Sequence, residues 1–450
     1  MIREENFLQL EKLIESKDFP ALNNILKEMN AVDTAEFIEE LPIEKALLVF
    51  RMLNKDAALR AFSNFDDDMQ QSIISAITDQ ETALLLKNLW MDDTVDMLEE
   101  MPAMLVKKVL RNSTPEARER INQYLNYPES SAGRVMTAEY IDLHKSLTVE
   151  DAIKCIRRVG EERETVYTCY VTDETRHLQG VVTVKDLLLA GDTQTVEEIM
   201  ETGVISVTTT ADREDTAKFL AKYNLFALPV VDAENRLVGI VTVDDAMDVL
   251  QEEDTEDFEK MAAMTPSEKP YLKTSVFALA KNRFPWLLIL MLSNTITGFI
   301  LGKYEAVYVM LPLLVTFVPM ITGTGGNAGS QSSTLVIRGM ALGEVRMKDF
   351  FAVVWKELRV CLVVGTLLAA VTYARVVVFN QGEVRLAITV ALSLFGSVFI
   401  GKVMGSMLPM LAKACKIDPA VVAAPLITTI VDALALAVYF RLAMSVLHLP

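Results

Sequence analysis

One acidic residue stands near the middle of the last membrane-length apolar stretch. The stretch, residues 421–439, reads VVAAPLITTIVDALALAVY, and its acid is Asp432. A carboxylate at the centre of a bilayer is costly unless it faces a partner, water or an ion, so by default it marks an ion path or a proton relay. Thr428 lies one helical turn before it, and Pro425 frees a backbone carbonyl that could face an ion. The alternative is a structural ion pair, for which Lys402 in the preceding apolar stretch is the candidate partner.

A second polar segment interrupts an earlier apolar stretch. Residues 319–333 read PMITGTGGNAGSQSS, in which small residues allow helices to pack closely and Asn327, Ser330 and Gln331 carry polar groups into the membrane. No Lys-Ser/Thr pair follows the glycines, so this is not a phosphate-binding loop. Close packing explains the glycines, but Asn327 is harder to explain by packing alone.

The residues around Asp432 favour a hydrated, hard cation. Mg²⁺ keeps several waters and needs only one or two carboxylates, whereas Ca²⁺ takes about six to eight oxygen ligands. The apolar stretches contain no Cys or His cluster that would select a soft metal. In a two-fold dimer, Asp432 of both chains would face one pore. A sparse, hydrated site of this kind suits Mg²⁺ best.

Five apolar stretches must position these side chains. Each is long enough, or nearly so, to cross about 30 Å of hydrocarbon; they cover residues 284–301, 306–337, 353–379, 386–411 and 421–447. The second is too long for one straight span, and we expect it to extend into solvent. Basic residues precede the first stretch and lie between the second and third and between the fourth and fifth, which predicts a cytosolic N-terminus and an outside C-terminus. The N-terminal MIREENFLQLEKL has no apolar signal core, which agrees with that orientation.

Charge divides the chain into two different halves. Residues 1–269 hold 28 basic and 54 acidic side chains, whereas residues 270–450 hold 15 basic and 7 acidic ones. A front half with net charge −26 argues against nucleic acid as a partner and for cations, held either diffusely or as bound divalent ions. The four cysteines show no zinc or disulfide spacing, and the three scattered histidines stand beside no nucleophile motif. We therefore expect no enzyme.

The first part of the chain predicts an all-α domain. Residues 4–127 read as short amphipathic helices with Pro or Asp at the turns, and EELP at 39–42 recurs as EEMP at 99–102. Such an offset predicts stacked helix pairs in a helical repeat domain, to which we assign residues 1–130. A domain of this type scaffolds or senses rather than catalyses.

The next part alternates strands and helices twice, with the same 59-residue offset between corresponding Gly and Asp positions. This repeat resembles a tandem pair of CBS domains, at residues 131–198 and 199–252. The resemblance implies a regulatory module whose cleft often binds an adenine nucleotide such as ATP. The implied ribose and phosphate contacts are Thr183 with Asp186 and Thr242 with Asp245. Helix N-capping is the alternative role for these residues, since Thr and Asp commonly cap helices at such turns.

A dense acidic run, DDAMDVLQEEDTEDFEK, follows the repeat at residues 244–260. On a helix it would place Asp245 and Asp248 on one face and Glu253, Glu256 and Asp257 in a second cluster. Like charges this close repel one another unless cations intervene. The alternative is a solvated linker. We assign residues 253–280 to an acidic connecting helix, and residues 281–450 to a transmembrane domain of five helices.

Taken together, these features resemble the MgtE family of magnesium channels or transporters. The motif that carries the resemblance in the membrane half is Pro-x-x-x-Gly-x-x-Gly-Asn-Ala-Gly-x-Gln, formed by Pro319, Gly323, Gly326, Asn327, Ala328, Gly329 and Gln331. The resemblance spans the whole chain. It implies a multidomain homodimer in the plasma (inner) membrane, serving magnesium homeostasis. Its pore would hold hydrated Mg²⁺ at Asp432 of both chains, with Asn327 nearby.

The resemblance also implies that Mg²⁺ is both substrate and inhibitor. Cytosolic Mg²⁺ bound between acidic faces of the front domains would hold the pore shut, and unscreened carboxylates would push the domains apart when Mg²⁺ is low. The implied regulatory residues are Asp93, Asp96, Asp212, Glu214, Asp245, Asp248, Glu253, Glu256 and Asp257.

Two other functions stay open from the residues alone. Asp432 and Lys402 lie at similar predicted depth and could form the proton relay of a proton-coupled divalent-cation carrier. Alternatively, the spans could merely anchor a nucleotide sensor to the membrane lipid, although polar Asn327, Gln331 and Asp432 count against a plain anchor.

Overall fold

The computed structural model describes residues 2–267, 271–379, 383–422 and 424–449. Within it the chain forms two compact units, Met1–Leu250 and Gln251–Pro450. Residues 268–270, which belong to the predicted connecting segment, lie outside the described residues.

Unit 1 begins with short helices, as the amphipathic pattern predicts. These are α1 (Ile2–Glu15), α2 (Phe19–Glu28), α3 (Ala31–Glu39), α4 (Ile43–Met52), α5 (Lys55–Ser63), α6 (Asp67–Ala76), α7 (Asp79–Leu86), α8 (Met91–Glu99), α9 (Ala103–Asn112) and α10 (Pro115–Leu125). Side-chain N-caps stabilise the first turns of many of these helices. For example, Asn54 accepts the N–H of Ala57, and Thr78 forms a capping box with Glu81. Phe37 and Phe62 are among the fully buried side chains of their core.

The α/β part of unit 1 contains two three-stranded sheets of identical topology. The first has β1 (Ile141–His144), β2 (Thr168–Thr172) and β3 (Leu178–Thr183), and the second has β4 (Val207–Thr208), β5 (Ala227–Val231) and β6 (Leu237–Thr242). In both sheets the first pair of strands is parallel and the second is antiparallel. The helices of this part are α11 (Ala132–Val135), α12 (Val149–Val159), α13 (Val184–Leu189), α14 (Val196–Ile199), α15 (Arg213–Tyr223) and the start of α16 (Val243–Met261), whose residues from Gln251 onward belong to unit 2.

The repeated glycine has the same packing reason in both sheets. A Cβ on Gly180 would lie 2.7 Å from Met200 Sδ and 3.0 Å from a backbone carbonyl, and a Cβ on Gly239 would lie 2.7 Å from Met136 Sδ and 2.8 Å from another. No side chain fits at either position. The 59-residue offset seen in the sequence therefore reflects two copies of one packing arrangement, and the predicted α/β pair is confirmed.

Unit 2 contains the apolar helices. They are α17 (Val276–Lys303), α18 (Glu305–Met310), α19 (Val318–Ala341), α20 (Phe350–Phe379), α21 (Val384–Ala414) and α22 (Ala424–Leu447). Four segments among the described residues are long and apolar enough to cross a membrane: Val276–Lys303, Met347–Phe379, Val384–Ala414 and Pro419–Leu447. A helical bundle is thus confirmed, whereas the count of five spans stays a prediction.

The second predicted stretch, 306–337, is not one helix. It is broken into α18, a 3-10 segment at Pro312–Phe317, and α19. Pro312 lacks an N–H and restricts the backbone of Leu311, which leaves the helical region there with φ −133° and ψ 80°. The 24 residues of α19 span about 36 Å, which is long enough for a membrane, but its glycines and hydroxyl side chains make it less apolar than its neighbours.

Candidate functional site

Asp432 lies partly buried in the middle of α22, as the sequence predicts. Its Oδ1 atom is buried and has no hydrogen-bond partner among the described residues. Thr428 stands one turn earlier on the same helix and contacts α19, because a Cβ on Gly326 would lie only 2.7 Å from Thr428 Cγ2. Asn327 is the next residue of α19. The structure thus brings the three candidate pore residues to one pair of packed helices.

The outer side of α19 in the single chain is mostly polar, although the apolar residues Pro319 and Leu335 are exposed there as well. Its exposed residues recur three or four positions apart and so share one face of the helix; they include Gly323, Asn327, Gln331, Thr334 and Arg338. In a bilayer a polar stripe of this kind faces water or another protein surface rather than lipid. Asn327 therefore belongs to a polar surface and not to the packed interior.

The inner side of α19 is held by glycines. A Cβ on Gly401 of α21 would lie 2.3 Å from the carbonyl oxygen of Gly325, and one on Gly405 would lie 2.2 Å from that of Gly329. The backbones of α19 and α21 touch at both positions. The packing role predicted for the glycines of residues 319–333 is confirmed for Gly325, Gly326 and Gly329, whereas a Cβ on the exposed Gly323 would meet no atom within 4 Å.

Lys402 forms its ion pair with Glu357 of α20 and not with Asp432. Its Nζ atom lies 3.5 Å from Glu357 Oε2 of α20, with side-chain exposures of 7% and 13%. Ser332 of α19 donates a 2.6 Å hydrogen bond to the same oxygen. Glu357 is therefore a second partly buried acid among the apolar helices of unit 2, and it was not predicted from the sequence as a site residue. The signal was the group of charged residues Lys356, Glu357 and Arg359 inside an apolar run.

A second cluster of acids lies inside unit 1, where α8 meets the start of α16. Burial, and then the charges of Asp93, Asp245 and Glu164, raise the pKa of Asp92 well above its usual value. Burial likewise raises the pKa of Asp245 to about 6, with the charges of Asp244 and Asp93 adding to it. These acids repel one another in the folded unit.

Glu164 joins this cluster and was not predicted from the sequence. Burial, followed by the charges of Asp245, Asp93 and Asp244, raises its pKa to about 7. Its Oε2 atom is buried with no hydrogen-bond partner in the part of the chain that the structure describes. The only sequence signal was one acid more in the run GEERET. No group of three or more His, Cys, Asp or Glu side chains within the described ranges is arranged as a ready metal cage.

The other predicted regulatory acids have local contacts. Asp212 caps α15 by accepting the N–H groups of Glu214 and Asp215 at 2.9 and 3.2 Å. Glu214 pairs with Lys218 one turn along. Asp96 contributes to the electrostatic environment of Arg134.

The predicted acids of α16 differ in burial along the helix. Burial, with the charge of Asp244, raises the pKa of Asp248. Glu253, Glu256 and Asp257 lie farther along the helix and are partly buried.

The tentative nucleotide contacts cap helices. The Thr183 N–H donates to Asp186 Oδ2 at 3.0 Å, and the Asp186 N–H donates to Thr183 Oγ1 at 3.2 Å, which forms a capping box at α13. Thr242 donates to Asp245 in the equivalent position of the second repeat. The capping role predicted for Thr183 and Asp186 is confirmed, and it leaves a nucleotide role as a prediction.

A basic residue links two segments of unit 2. Lys260 Nζ lies 2.5 Å from Glu256 Oε1 and 2.8 Å from Asp418 Oδ2. Burial alone lowers the pKa of Lys260, but the hydrogen bonds to Asp418 and Glu256 outweigh that effect and raise it. Asp418 Oδ1 accepts the N–H of Ala420, in the 3-10 segment Pro419–Val422 that precedes α22.

Family models match the helical part, the two α/β repeats and the apolar bundle from α19 onward. Residues 318–442 match the MgtE model described as a divalent cation transporter, residues 12–130 match the MgtE intracellular N domain, and residues 132–192 and 196–252 match the CBS domain. The matches follow the order of the helical part, the two α/β repeats and the apolar bundle.

Solved structures resemble the front of the chain. The soluble part of a magnesium transporter aligns with a TM-score of 0.53 at 26% identity and covers 56% of this chain and 99% of that one. The cytosolic domain of the Mg²⁺ channel MgtE in complex with ATP aligns with a TM-score of 0.51 at 33% identity, covering 54% and 99%.

Curated relatives match along the whole length. The magnesium transporter MgtE of Thermus thermophilus is 34% identical over 453 residues, covering 99% of this chain and 100% of the relative. The magnesium transporter MgtE of Bacillus subtilis is 31% identical over 448 residues, covering 100% and 99%. With its apolar helices the chain is a multi-pass membrane protein. It belongs to the MgtE family of divalent cation transporters.

Proposed function

We propose that this protein carries Mg²⁺ across the plasma (inner) membrane, through a path between the membrane halves of two copies, and so serves magnesium homeostasis. The observation that carries the proposal is the unpartnered Asp432 Oδ1 on α22, one turn from Thr428 and beside the polar helix α19. A carboxylate in this setting needs an ion or water to balance it. The full-length relatives named as magnesium transporters support Mg²⁺ as that ion.

A second copy of the chain would complete the ion path. The polar stripe of α19 is exposed in the single chain, and one carboxylate is a thin site for a divalent cation. Two-fold symmetry doubles every group on the stripe and sets two Asp432 side chains opposite each other. Mg²⁺ would keep most of its waters there, which suits amide and hydroxyl groups such as Asn327 and Thr428.

The acidic cluster of unit 1 would make cytosolic Mg²⁺ its own inhibitor. Bound divalent cations would neutralise Asp93, Asp245 and their neighbours and favour the compact, closed arrangement, whereas loss of the cations would restore repulsion and favour opening. The N-terminal domain and the CBS pair would then lie in the cytosol, and the C-terminus outside. The regulatory residues of this proposal are Asp93, Asp96, Asp212, Glu214, Asp245, Asp248, Glu253, Glu256 and Asp257, with Glu164 added.

ATP at the CBS pair is a further part of the proposal. The support is the likeness to a cytosolic domain solved with ATP. Thr183 and Asp186, with Thr242 and Asp245, would contact the ribose and phosphates while they cap their helices.

The decisive experiment measures Mg²⁺ flux into proteoliposomes that hold wild type or Asp432→Asn, at low and millimolar Mg²⁺ on the side of the front domains. Ser293→Ala is a matched control, because Ser293 is a polar residue of another apolar helix that bonds only its own backbone. We expect flux in wild type and in the control at low Mg²⁺, and its loss in Asp432→Asn.

Three other flux results would contradict this proposal. Equal flux in Asp432→Asn would remove that residue from the mechanism. No flux in wild type would favour the membrane-anchored nucleotide sensor, and flux that needs a proton gradient would favour the proton-coupled carrier.

A further inference from the structure

Three apolar helices of unit 2 meet at a buried polar group. Ser332 of α19 is fully buried and donates to Glu357 Oε2 of α20 at 2.6 Å, and Lys402 of α21 lies 3.5 Å from the same oxygen. Ala328, Cys361 and Val398 form an apolar cluster beside them. One carboxylate oxygen therefore joins three helices.

Helix packing alone does not require these charges. Burying two ions costs solvation that their attraction only partly returns, and apolar side chains of similar volume often hold helices together as well or better. Ala328 and Val398 already supply such packing next to the pair. The charges of Lys402 and Glu357 therefore indicate a role beyond holding the helices together.

The position of the pair relative to α19 suggests that task. Lys402 follows Gly401, which touches the Gly325 carbonyl, and Ser332 comes three residues after Gly329. The polar stripe with Asn327 lies on another face of the same helix. Asn327 and Ser332 are five residues apart and lie on different faces of α19, a helix about 10 Å across. The polar stripe therefore lies roughly 10 Å from the Lys402–Glu357 pair.

We propose that Glu357 is a positioning residue for ion transport, which neutralises Lys402 beside the path and fixes the rotation of α19 through Ser332. The inference rests on the proposed function, since it assumes that the polar stripe of α19 lines the path. It assigns to Glu357 a role that Asp432 does not have, because Glu357 acts through Lys402 and Ser332 and does not touch the ion.

Removing either member of the Lys402–Glu357 pair leaves one unbalanced charge, positive or negative. If the pair acts on the ion electrostatically, the two removals should change Mg²⁺ binding in opposite directions, which a purely structural role does not predict. Glu357→Gln keeps an oxygen for Ser332 but leaves the Lys402 ammonium unbalanced, and an unbalanced cation roughly 10 Å from a divalent ion weakens its binding on the order of ten- to a hundredfold. Lys402→Met leaves the carboxylate instead and acts in the opposite direction. The double variant removes both charges.

The experiment measures the half-saturating Mg²⁺ concentration and the maximal flux in proteoliposomes, together with thermal stability in detergent. We expect Glu357→Gln to raise the half-saturating concentration about tenfold or more and Lys402→Met to lower it. The double variant and Lys402→Arg should return close to wild type. Ser332→Ala, which changes no charge, should lower the maximal flux with little change in half-saturation.

Two results would overturn the inference without touching the proposed function. One is wild-type half-saturation in all variants while wild type and Asp432→Asn still differ. The other is a parallel loss of flux and thermal stability in both single variants, which the double variant does not repair. Absence of Mg²⁺ flux in wild type would instead overturn the proposed function and this inference together.

Discussion

Lys260 and Asp418, 158 residues apart in the chain, are joined by a 2.8 Å contact between Nζ and Oδ2. The other oxygen of the same carboxylate accepts the N–H of Ala420, so one side chain connects the end of α16 to the segment that starts α22. The helix that carries Asp432 is thereby linked to the helix that carries the acidic run.

Lys260→Ala should loosen the segment before α22 with little loss of stability. The pair is partly exposed, and exposed ion pairs contribute only about 0 to 1 kcal/mol. We expect faster amide hydrogen exchange at Ala420 and Val421, and a weaker effect at high salt because the charges are screened. Lys413→Ala, which removes an exposed lysine of α21, is the control. Unchanged exchange in Lys260→Ala would mean that Asp418 holds the segment alone.

The acidic cluster of unit 1 should make that unit less stable as pH rises. The pKa of Glu164 rises from 4.5 to about 7 on folding and that of Asp245 from 3.8 to about 6. The folded unit binds these protons more tightly than the unfolded chain, so their stabilisation is complete below about pH 4 and is lost as pH rises through 6 to 7. Thermal unfolding of residues 1–250 without divalent ions should show this decline. Glu164→Gln should flatten it, whereas the control Glu116→Gln on α10 should not.

Millimolar Mg²⁺ should reverse the decline if the cluster binds cations. A ligand that binds only the folded state adds RT ln(1 + [L]/Kd), which is about 2.7 kcal/mol at one hundred times Kd. The gain should be larger at pH 8 than at pH 5, because protons and Mg²⁺ compete for the same carboxylates. Calorimetry on Asp93→Asn should find a smaller gain. A gain equal at both pH values and in both proteins would place the binding outside the cluster.

Gly326→Ala should separate α19 from α22. The added methyl would meet Thr428 Cγ2 at 2.7 Å, and overpacking of this kind costs about 1–3 kcal/mol. Thermal unfolding in detergent should show lower stability, and Mg²⁺ flux should fall because Asn327 and Asp432 lose their relative placement. Gly298→Ala is the control, since no atom lies within 4 Å of its added Cβ and the helix gains about 1 kcal/mol of propensity. Equal stability of both variants would contradict the tight contact at Gly326.

The features that were predicted correctly from the sequence are those that depend on sequence repeats or on neighbouring residues. The duplicated sheets, the cap at Thr183 and the packing role of the glycines near Asn327 all follow from patterns within a few tens of residues. The inference that the chain is not an enzyme also holds, since it belongs to a family of transporters.

What the sequence missed depends on contacts between distant segments. In the sequence, Glu357 lies near the edge of a predicted span. In the structure, α20 starts at Phe350 and Lys402 of α21 packs against Glu357. Glu164 is one acid among several until folding buries it beside Asp245. The break of the second stretch is different, because it occurs at Pro312, a local helix breaker that the sequence shows directly.

The glycine contacts between α19 and α21 also restrict motion. Carbonyl oxygens of one helix rest against Cα atoms of the other at Gly401 and Gly405, so neither helix can roll or slide past its neighbour without a clash. We therefore expect the two helices to move together. Any widening of an ion path would then arise elsewhere, and a hinge at the 3-10 segments Pro312–Phe317 before α19 or Pro419–Val422 before α22 would break few helical hydrogen bonds.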